Sequence, residues 1–284
     1  VGNALHQARI ALLILSLLIF WIDQIFSSLR CLYIARVLGG NLSISTSLRA
    51  HFVGLWFNQI MPSSLGGDVI KMAILKKPLG VSLAIRATIL DRVSGLMFLL
   101  LVVAITLPLY VRIFPLHPEL VIALGAFSIG GGLAILLGAW IANHVASHFV
   151  LKPIYKKIIY IFSDVWKFNK GIPLWEQIWT SSIVHFNGII TYSLLGLALG
   201  ININPITFFL VVPVVFLIAL IPISLAGWGF RELGAVWLFG LVGINSGSAL
   251  AISICFGLLL IVAGLPGLII LLMHRSVIEP TTHE

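Results

Sequence analysis

Two short stretches of polar and helix-breaking residues interrupt otherwise apolar sequence, and they hold the residue types that could bind an anion. The first runs from Phe57 to Lys71, and the second runs from Pro222 to Glu232, about 160 residues later. A proline and glycine break in an apolar helix leaves backbone N–H groups at the start of the next helix, where the helix dipole is positive. Such a helix start suits an anionic group such as a phosphate.

The two stretches match each other in residue type and spacing. The matched pairs are Pro62 and Pro222, Ser64 and Ser224, Leu65 and Leu225, Gly67 and Gly227, and Lys71 and Arg231. Upstream, Leu38-Gly39-Gly40-Asn41 corresponds to Leu199-Gly200-Ile201-Asn202. The pattern predicts an internal duplication within a single membrane domain of residues 1–284, with repeat one at about 10–110 and repeat two at about 175–273.

Candidate substrate-binding residues follow from the two breaks. Around the first they are Asn58, Pro62, Ser63, Ser64, Gly66, Gly67, Asp68, Lys71 and Arg92, and around the second they are Pro222, Ser224, Gly227, Gly229, Arg231 and Glu232. The serines and glycines would frame the helix starts, and Lys71 and Arg231 would add a cation one turn further on. The alternative is a helix break that Ser64 or Asp68 caps, with no ligand.

Two acids lie next to the breaks and have two interpretations. Asp68 and Glu232 either cap helix starts or pair with Lys71 and Arg231, or they couple transport to a proton or another cation.

Further charged residues lie in the apolar segments themselves. Asp23 and Arg30 lie seven residues apart and therefore on one helical face, which predicts an internal ion pair. Arg92, which follows Asp91, either extends its charge to the membrane surface or contributes to a site.

Composition places the chain in a membrane. Hydrophobic residues make up 60% of it and charged residues only 9%, whereas soluble domains carry roughly 25% charged residues. The net charge is +8. In a membrane protein the basic residues behind this charge indicate how the chain is oriented in the membrane and where it contacts anionic lipids, rather than nucleic acid binding. Cys31 and Cys255 are predicted to be packed thiols, and no metal-ligand spacing, nucleotide loop or nucleophile motif occurs. We therefore expect no cofactor, no metal and no enzymatic activity.

The elements that must position the two breaks are membrane helices. Spans need about 20 apolar residues, and the stretches that meet this are Ile10 to about Leu32, Ala87 to Tyr110, Leu120 to Ile141, Ile178 to Leu199 and Ala249 to Met273. Regions 46–75 and 205–243 are each split into arms of about 15 residues, which predicts broken, re-entrant helical hairpins. The glycines at 130–132 predict a close helix approach or a flexible point. The fold class is an all-α polytopic membrane helix bundle.

Lysine and arginine positions leave two topologies open. The connection at about 150–170 is basic and rich in aromatic residues, which predicts an amphipathic cytoplasmic segment. If both broken regions are re-entrant, the two repeats have inverted topology, and if both cross the membrane fully, the repeats are parallel. The charge distribution favours the inverted arrangement, in which Val1 is external and a first helix would be missing.

Three ordered motifs carry a family resemblance over almost the whole chain. They are Phe57-Asn58-Gln59-Ile60-Met61-Pro62 followed by Gly66-Gly67-Asp68 and Lys71, then Asp91-Arg92-Val93-Ser94-Gly95-Leu96, then Pro222-Ile223-Ser224 followed by Gly227-Trp228-Gly229-Phe230-Arg231-Glu232. They resemble the lysylphosphatidylglycerol synthase transmembrane-domain, flippase-like group of bacterial and archaeal membrane proteins. Lys71 stands where that family usually has arginine.

The resemblance implies transport of a lipid between leaflets of the cytoplasmic membrane, with synthesis left to a separate domain. We expect an anionic phospholipid or lipid-linked amphiphile as substrate, the bilayer as surroundings, and a homodimer or a lipid-modifying enzyme as candidate protein partners. The alternative is a membrane scaffold or subunit that presents lipid to a separate transferase. A membrane-embedded transferase, with Asp68, Asp91 or Glu232 as acid or base, ranks last.

Overall fold

The computed structural model describes residues 9–61, 65–113, 117–148, 153–169, 171–220 and 228–273, and this part of the chain is helical with short turns. The helices are α1 Ile10–Val37, α2 Ile44–Ile60, α3 Gly66–Leu79, α4 Val81–Ile113, α5 Pro118–Gly125, α6 Gly131–His148, α7 Pro153–Phe168, α8 Gly171–Ala198, α9 Pro205–Ala219, α10 Phe230–Leu241 and α11 Ser246–Met273. The predicted all-α membrane helix bundle is confirmed.

Five helical stretches are long and apolar enough to cross a membrane, as predicted. They are Ile10–Val37, Val81–Ile113, Pro118–Ala146, Pro173–Ala198 and Ser246–Met273. Each is longer than the apolar run that predicts it, because the helices continue into polar residues at their ends. The length and composition of these stretches make the chain a multi-pass membrane protein.

The third span contains a π-helical turn, Ala126–Gly130, between α5 and α6. The predicted close approach at the glycines is wrong for Gly130 and Gly132, because a Cβ atom on either would meet nothing within 4 Å.

The first long helix in each half of the chain ends in a turn with a glycine at positive φ. Gly39, after α1, has φ of 89°, and Gly200, after α8, has φ of 71°, a backbone conformation that glycine adopts without a Cβ penalty. The next helix then begins at a capping side chain: the Ser43 hydroxyl accepts from the Thr46 amide, and the Asn204 side chain accepts from the Ile206 amide. The order of long helix, short helix pair and long helix therefore occurs twice, in α1–α4 and in α8–α11.

Each short helix pair is antiparallel. In the first pair, a Cβ on Gly54 of α2 would lie 2.9 Å from the Gly67 carbonyl oxygen of α3, so only glycines permit the two backbones to approach this closely. In the second pair, Gly234 of α10 lies against Ile218 at the end of α9. Whether these pairs are re-entrant in a bilayer stays a prediction.

The corresponding helices α1 and α8 run in opposite directions. The Arg9 amide before α1 donates to the Ala198 carbonyl at the end of α8 at 2.9 Å. Near the other end of α1, Arg30 donates to the Ser181 hydroxyl of α8 at 3.0 Å. This direction is what an inverted repeat requires. The inverted topology and the repeat boundaries stay predictions.

The basic connection forms the helix α7, which has one polar and one apolar face. Its buried Asp164 accepts from Arg86 of α4 with 2.6 Å between Nε and Oδ2. This ion pair fixes α7 against the start of α4.

Candidate functional site

A buried carboxylate with two cations lies where α1, α3 and α4 meet. Asp91 Oδ1 accepts from Arg30 Nε at 2.7 Å, and Asp91 Oδ2 accepts from Lys71 Nζ at 2.8 Å. The three residues are 4–6% exposed. Burying an unpaired charge costs free energy, and the Asp91 carboxylate lowers that cost for both cations. Arg30 also donates to Ser181 on α8, which ties a fourth helix to the cluster.

A second ion pair flanks this cluster. Arg92, the residue after Asp91, donates from Nε to the Asp68 carboxylate at the start of α3. Both side chains are partly exposed, at 31% and 18%. The structure thus corrects the expected pair of Asp68 with Lys71: Asp68 pairs with Arg92, and Lys71 pairs with Asp91.

These residues line a cavity of about 260 Å³, which we call the polar cavity. Its polar wall comprises Gln24, Ser27, Arg30, His51, Asn58, Asp68, Lys71, Asp91, Arg92 and His185, and its apolar wall includes Leu55, Leu96, Leu99 and Leu220. Leu220 is the last described residue before the second break. The polar cavity therefore lies beside the first break and extends to the start of the second.

The charges that line the polar cavity do not balance. Among the described residues that line it, three cations, Arg30, Lys71 and Arg92, face two carboxylates, Asp68 and Asp91. The residues of the two breaks that lie outside the described structure, 62–64 and 221–227, carry no charged side chain. The two lining histidines, His51 and His185, are counted here as neutral imidazoles. One net positive charge remains in a low-dielectric site, and a single negative charge would offset it.

An apolar groove of about 290 Å³ lies next to the polar cavity, between α4, the third span and α8. Ser94 and Ser181 line the groove, and from the other side Arg30 of the polar cavity donates to Ser181. Leu101 and Leu133, which also line the groove, are 45% and 61% exposed. In a bilayer this rim faces acyl chains.

One backbone amide at each of the two helix starts is bonded to a side chain of the protein itself. The Gly67 amide donates to the Asn58 side chain at 2.8 Å, and the Gly229 amide donates to the Glu232 carboxylate at 2.5 Å. These two amides therefore already have partners, and anion binding at the helix starts stays a prediction. The residue before α3 is Leu65, whose own side chain makes no cap hydrogen bond. Whether Asp68, in the first turn of α3, caps the helix start stays a prediction.

At the second break, Arg231 and Glu232 form a closed and packed pair. Arg231 Nη2 lies 2.6 Å from Glu232 Oε1, as one of the expected interpretations predicts. The guanidinium also lies 5.1 Å from the ring centroid of Trp228 and 5.6 Å from that of Phe256. Neither Arg231 nor Glu232 lines the polar cavity.

The structure describes nine of the fifteen candidate site residues. Asn58, Gly67, Asp68, Lys71 and Arg92 line the polar cavity, whereas Gly66 only adjoins it. Gly229, Arg231 and Glu232 lie together elsewhere. Pro62, Ser63, Ser64, Pro222, Ser224 and Gly227 lie outside the described residues.

The expected ion pair of Asp23 with Arg30 is wrong, because Arg30 bonds to Asp91 and Ser181. Arg30, Asp91, Gln24, His51 and His185 line the polar cavity, and sequence reasoning did not assign them to the site. The sequence did contain an indication of Arg30 and Asp91: charged residues inside apolar spans need partners, and those partners can lie far away in the chain.

Comparison with known proteins identifies the family of the chain. The family model described as the lysylphosphatidylglycerol synthase TM region matches residues 1–267. The chain belongs to this family. No curated protein and no solved structure matches it. Within the described residues, no group of three His, Cys, Asp or Glu side chains could hold a metal ion. Membership relates the chain to the membrane region of lysylphosphatidylglycerol synthases, and the motif resemblance to that family is confirmed.

Proposed function

We propose that the protein is a lipid transporter that moves a phospholipid with one net negative charge between the leaflets of a bacterial or archaeal cytoplasmic membrane. The observation that supports this proposal most strongly is the unbalanced positive charge of the polar cavity, which lies between helices that include candidate membrane spans. A phosphodiester headgroup would supply the missing negative charge to Arg30 and Lys71 through charge-assisted hydrogen bonds.

The apolar groove favours a lipid over a soluble anion. Ser181 lines the groove and accepts a hydrogen bond from Arg30, which lines the polar cavity. A headgroup in the cavity and an acyl chain in the groove could therefore belong to one molecule. Lys71 presents a point charge rather than a bidentate fork, which suits binding and release more than a permanent complex.

The test is leaflet transfer in liposomes that contain the purified protein. Fluorescent phosphatidylglycerol and phosphatidylcholine with identical chains are compared, because only the first carries a net negative charge. We expect faster transfer of phosphatidylglycerol than of phosphatidylcholine. Lys71→Met should slow it about 10- to 100-fold, the loss expected when a hydrogen bond to a charged group is removed.

The matched control is Lys76→Met, the same chemical change on the same helix at an exposed position. It should transfer lipid at the wild-type rate. If the wild type transfers no faster than protein-free vesicles, the transport proposal is wrong. Binding of phosphatidylglycerol without transfer would instead favour the scaffold that presents lipid to a separate transferase.

A further inference from the structure

Asp23 is a buried carboxyl group that forms no ion pair with any residue the structure describes. It is 5% exposed, its Oδ2 accepts from Gln24 Nε2 at 2.7 Å, and its Oδ1 is buried without a hydrogen-bond partner. A charged carboxylate is expensive in such a position, whereas the neutral acid costs much less. The acids that line the polar cavity differ, because Asp68 and Asp91 both have cation partners.

A short chain of hydrogen bonds connects Asp23 with the polar cavity. Gln24, which donates to Asp23, lies with its Oε1 2.9 Å from His51 Nε2. Both Gln24 and His51 line the polar cavity. The carboxyl group therefore lies one side chain behind the wall of the cavity, close enough to influence its electrostatics.

The ionisable groups around Asp23 come from several helices. Those that line the polar cavity, one side chain away, are Arg30 on α1, His51 on α2, Asp68 and Lys71 on α3, Asp91 and Arg92 on α4, and His185 on α8. The residues of α11 include no Asp, Glu, Lys, Arg or His. An ionised Asp23 would cancel the net positive charge of this set, and a protonated Asp23 would leave it in place.

We propose that Asp23 binds a proton together with the anionic lipid headgroup, so that the protein is a proton–lipid symporter. This inference rests on the proposed function. The proton adds to Oδ1 of the carboxylate and forms the carboxylic acid, and it returns to water when the lipid leaves. Coupling is reciprocal: an anion in the polar cavity favours the protonated acid, and the protonated acid favours the anion. One proton and one monoanion move without net charge.

The test is the leaflet distribution of fluorescent phosphatidylglycerol across liposomes under a pH difference of about one unit. Symport of one proton should give about a tenfold excess of lipid in the leaflet that faces the more alkaline side, since one pH unit is a tenfold driving force. Asp23→Asn should bring the ratio close to one. Glu119→Gln, the same change at an exposed acid, should keep the tenfold excess, and protein-free vesicles correct for spontaneous movement.

An inactive Asp23→Asn protein would also give a ratio near one, so proton uptake by the wild type is measured as well. Adding short-chain phosphatidylglycerol to the wild-type protein in weakly buffered detergent solution should take up about one proton per bound lipid. Rapid transfer with a ratio near one, or binding without proton uptake across the neutral pH range, would overturn symport and leave the transport proposal standing. Absence of any transfer by the wild type would remove both.

Discussion

The two breaks have matching sequences but different surroundings. At the first break, two buried cations share one carboxylate beside a cavity, so one positive charge is in excess. Arg92 and Asp68 form a further pair there whose charges balance. At the second, Arg231 and Glu232 neutralise each other, and aromatic rings cover the guanidinium. Under the proposed function, the first break would hold the binding site and the second a packed structural contact, although their sequences match.

The largest expected effect is the loss of stability when the ion pair at the second break is broken. Arg231→Met leaves Glu232 buried without its cation, and removing one partner of a buried pair costs about 3–5 kcal/mol. The free energy of unfolding in detergent should fall by that amount. The double variant Arg231→Met with Glu232→Gln should recover part of the loss, since no unpaired charge remains. Equal losses for the single and the double variant would contradict the structural role of the pair.

The next effect concerns the close contact within the first helix pair. A Cβ on Gly67 would overlap the Gly54 carbonyl oxygen and the Asn58 side chain. Gly67→Ala should therefore lower the free energy of unfolding by about 1–3 kcal/mol, the usual cost of overpacking. The control is Gly132→Ala, whose Cβ meets nothing within 4 Å. It should be neutral or stabilising, because alanine favours a helix by up to about 1 kcal/mol. Similar effects at both positions would show that the close contact is unimportant.

The smallest effect tests where the two halves should agree. Ser43 and Asn204 each cap the first helix of a short pair with a side-chain oxygen, Ser43 on the Thr46 amide and Asn204 on the Ile206 amide. Ser43→Ala and Asn204→Ala should each cost about 1 kcal/mol, as lost helix caps do. Thermal unfolding in detergent measures both. A loss of stability from only one of the two substitutions would mean that the halves differ in their backbone caps as well as in their charged groups.

Much of the fold could be predicted from sequence because it depends on local patterns. Apolar runs such as Ala249 to Met273 identify spans, and the shared Leu-Gly turns at 38–39 and 199–200 mark where the long helices end. The pair of Arg231 and Glu232 was also accessible, since the two residues are adjacent and Glu232 lies in the first turn of its helix.

The candidate site was only partly predictable, because its contacts join distant segments. Arg30 and Asp91 are 61 residues apart, and Lys71 and Asp91 are 20 residues apart. No local pattern decides whether Arg30 turns to Asp23 on its own helix or to Asp91 on another. Packing decides it: α4 places Asp91 between the cations of α1 and α3, and Asp23 is left with Gln24.

The measurement that tests the central claim most directly is mass spectrometry of the lipids retained by the purified protein after exchange into equal amounts of phosphatidylglycerol and phosphatidylcholine. The wild type should retain phosphatidylglycerol in preference. Lys71→Met should lose this preference, and folded Arg231→Met protein should keep it. Equal retention of both lipids by the wild type, or loss of the preference with Arg231→Met but not with Lys71→Met, would contradict the assignment of the site to the first break.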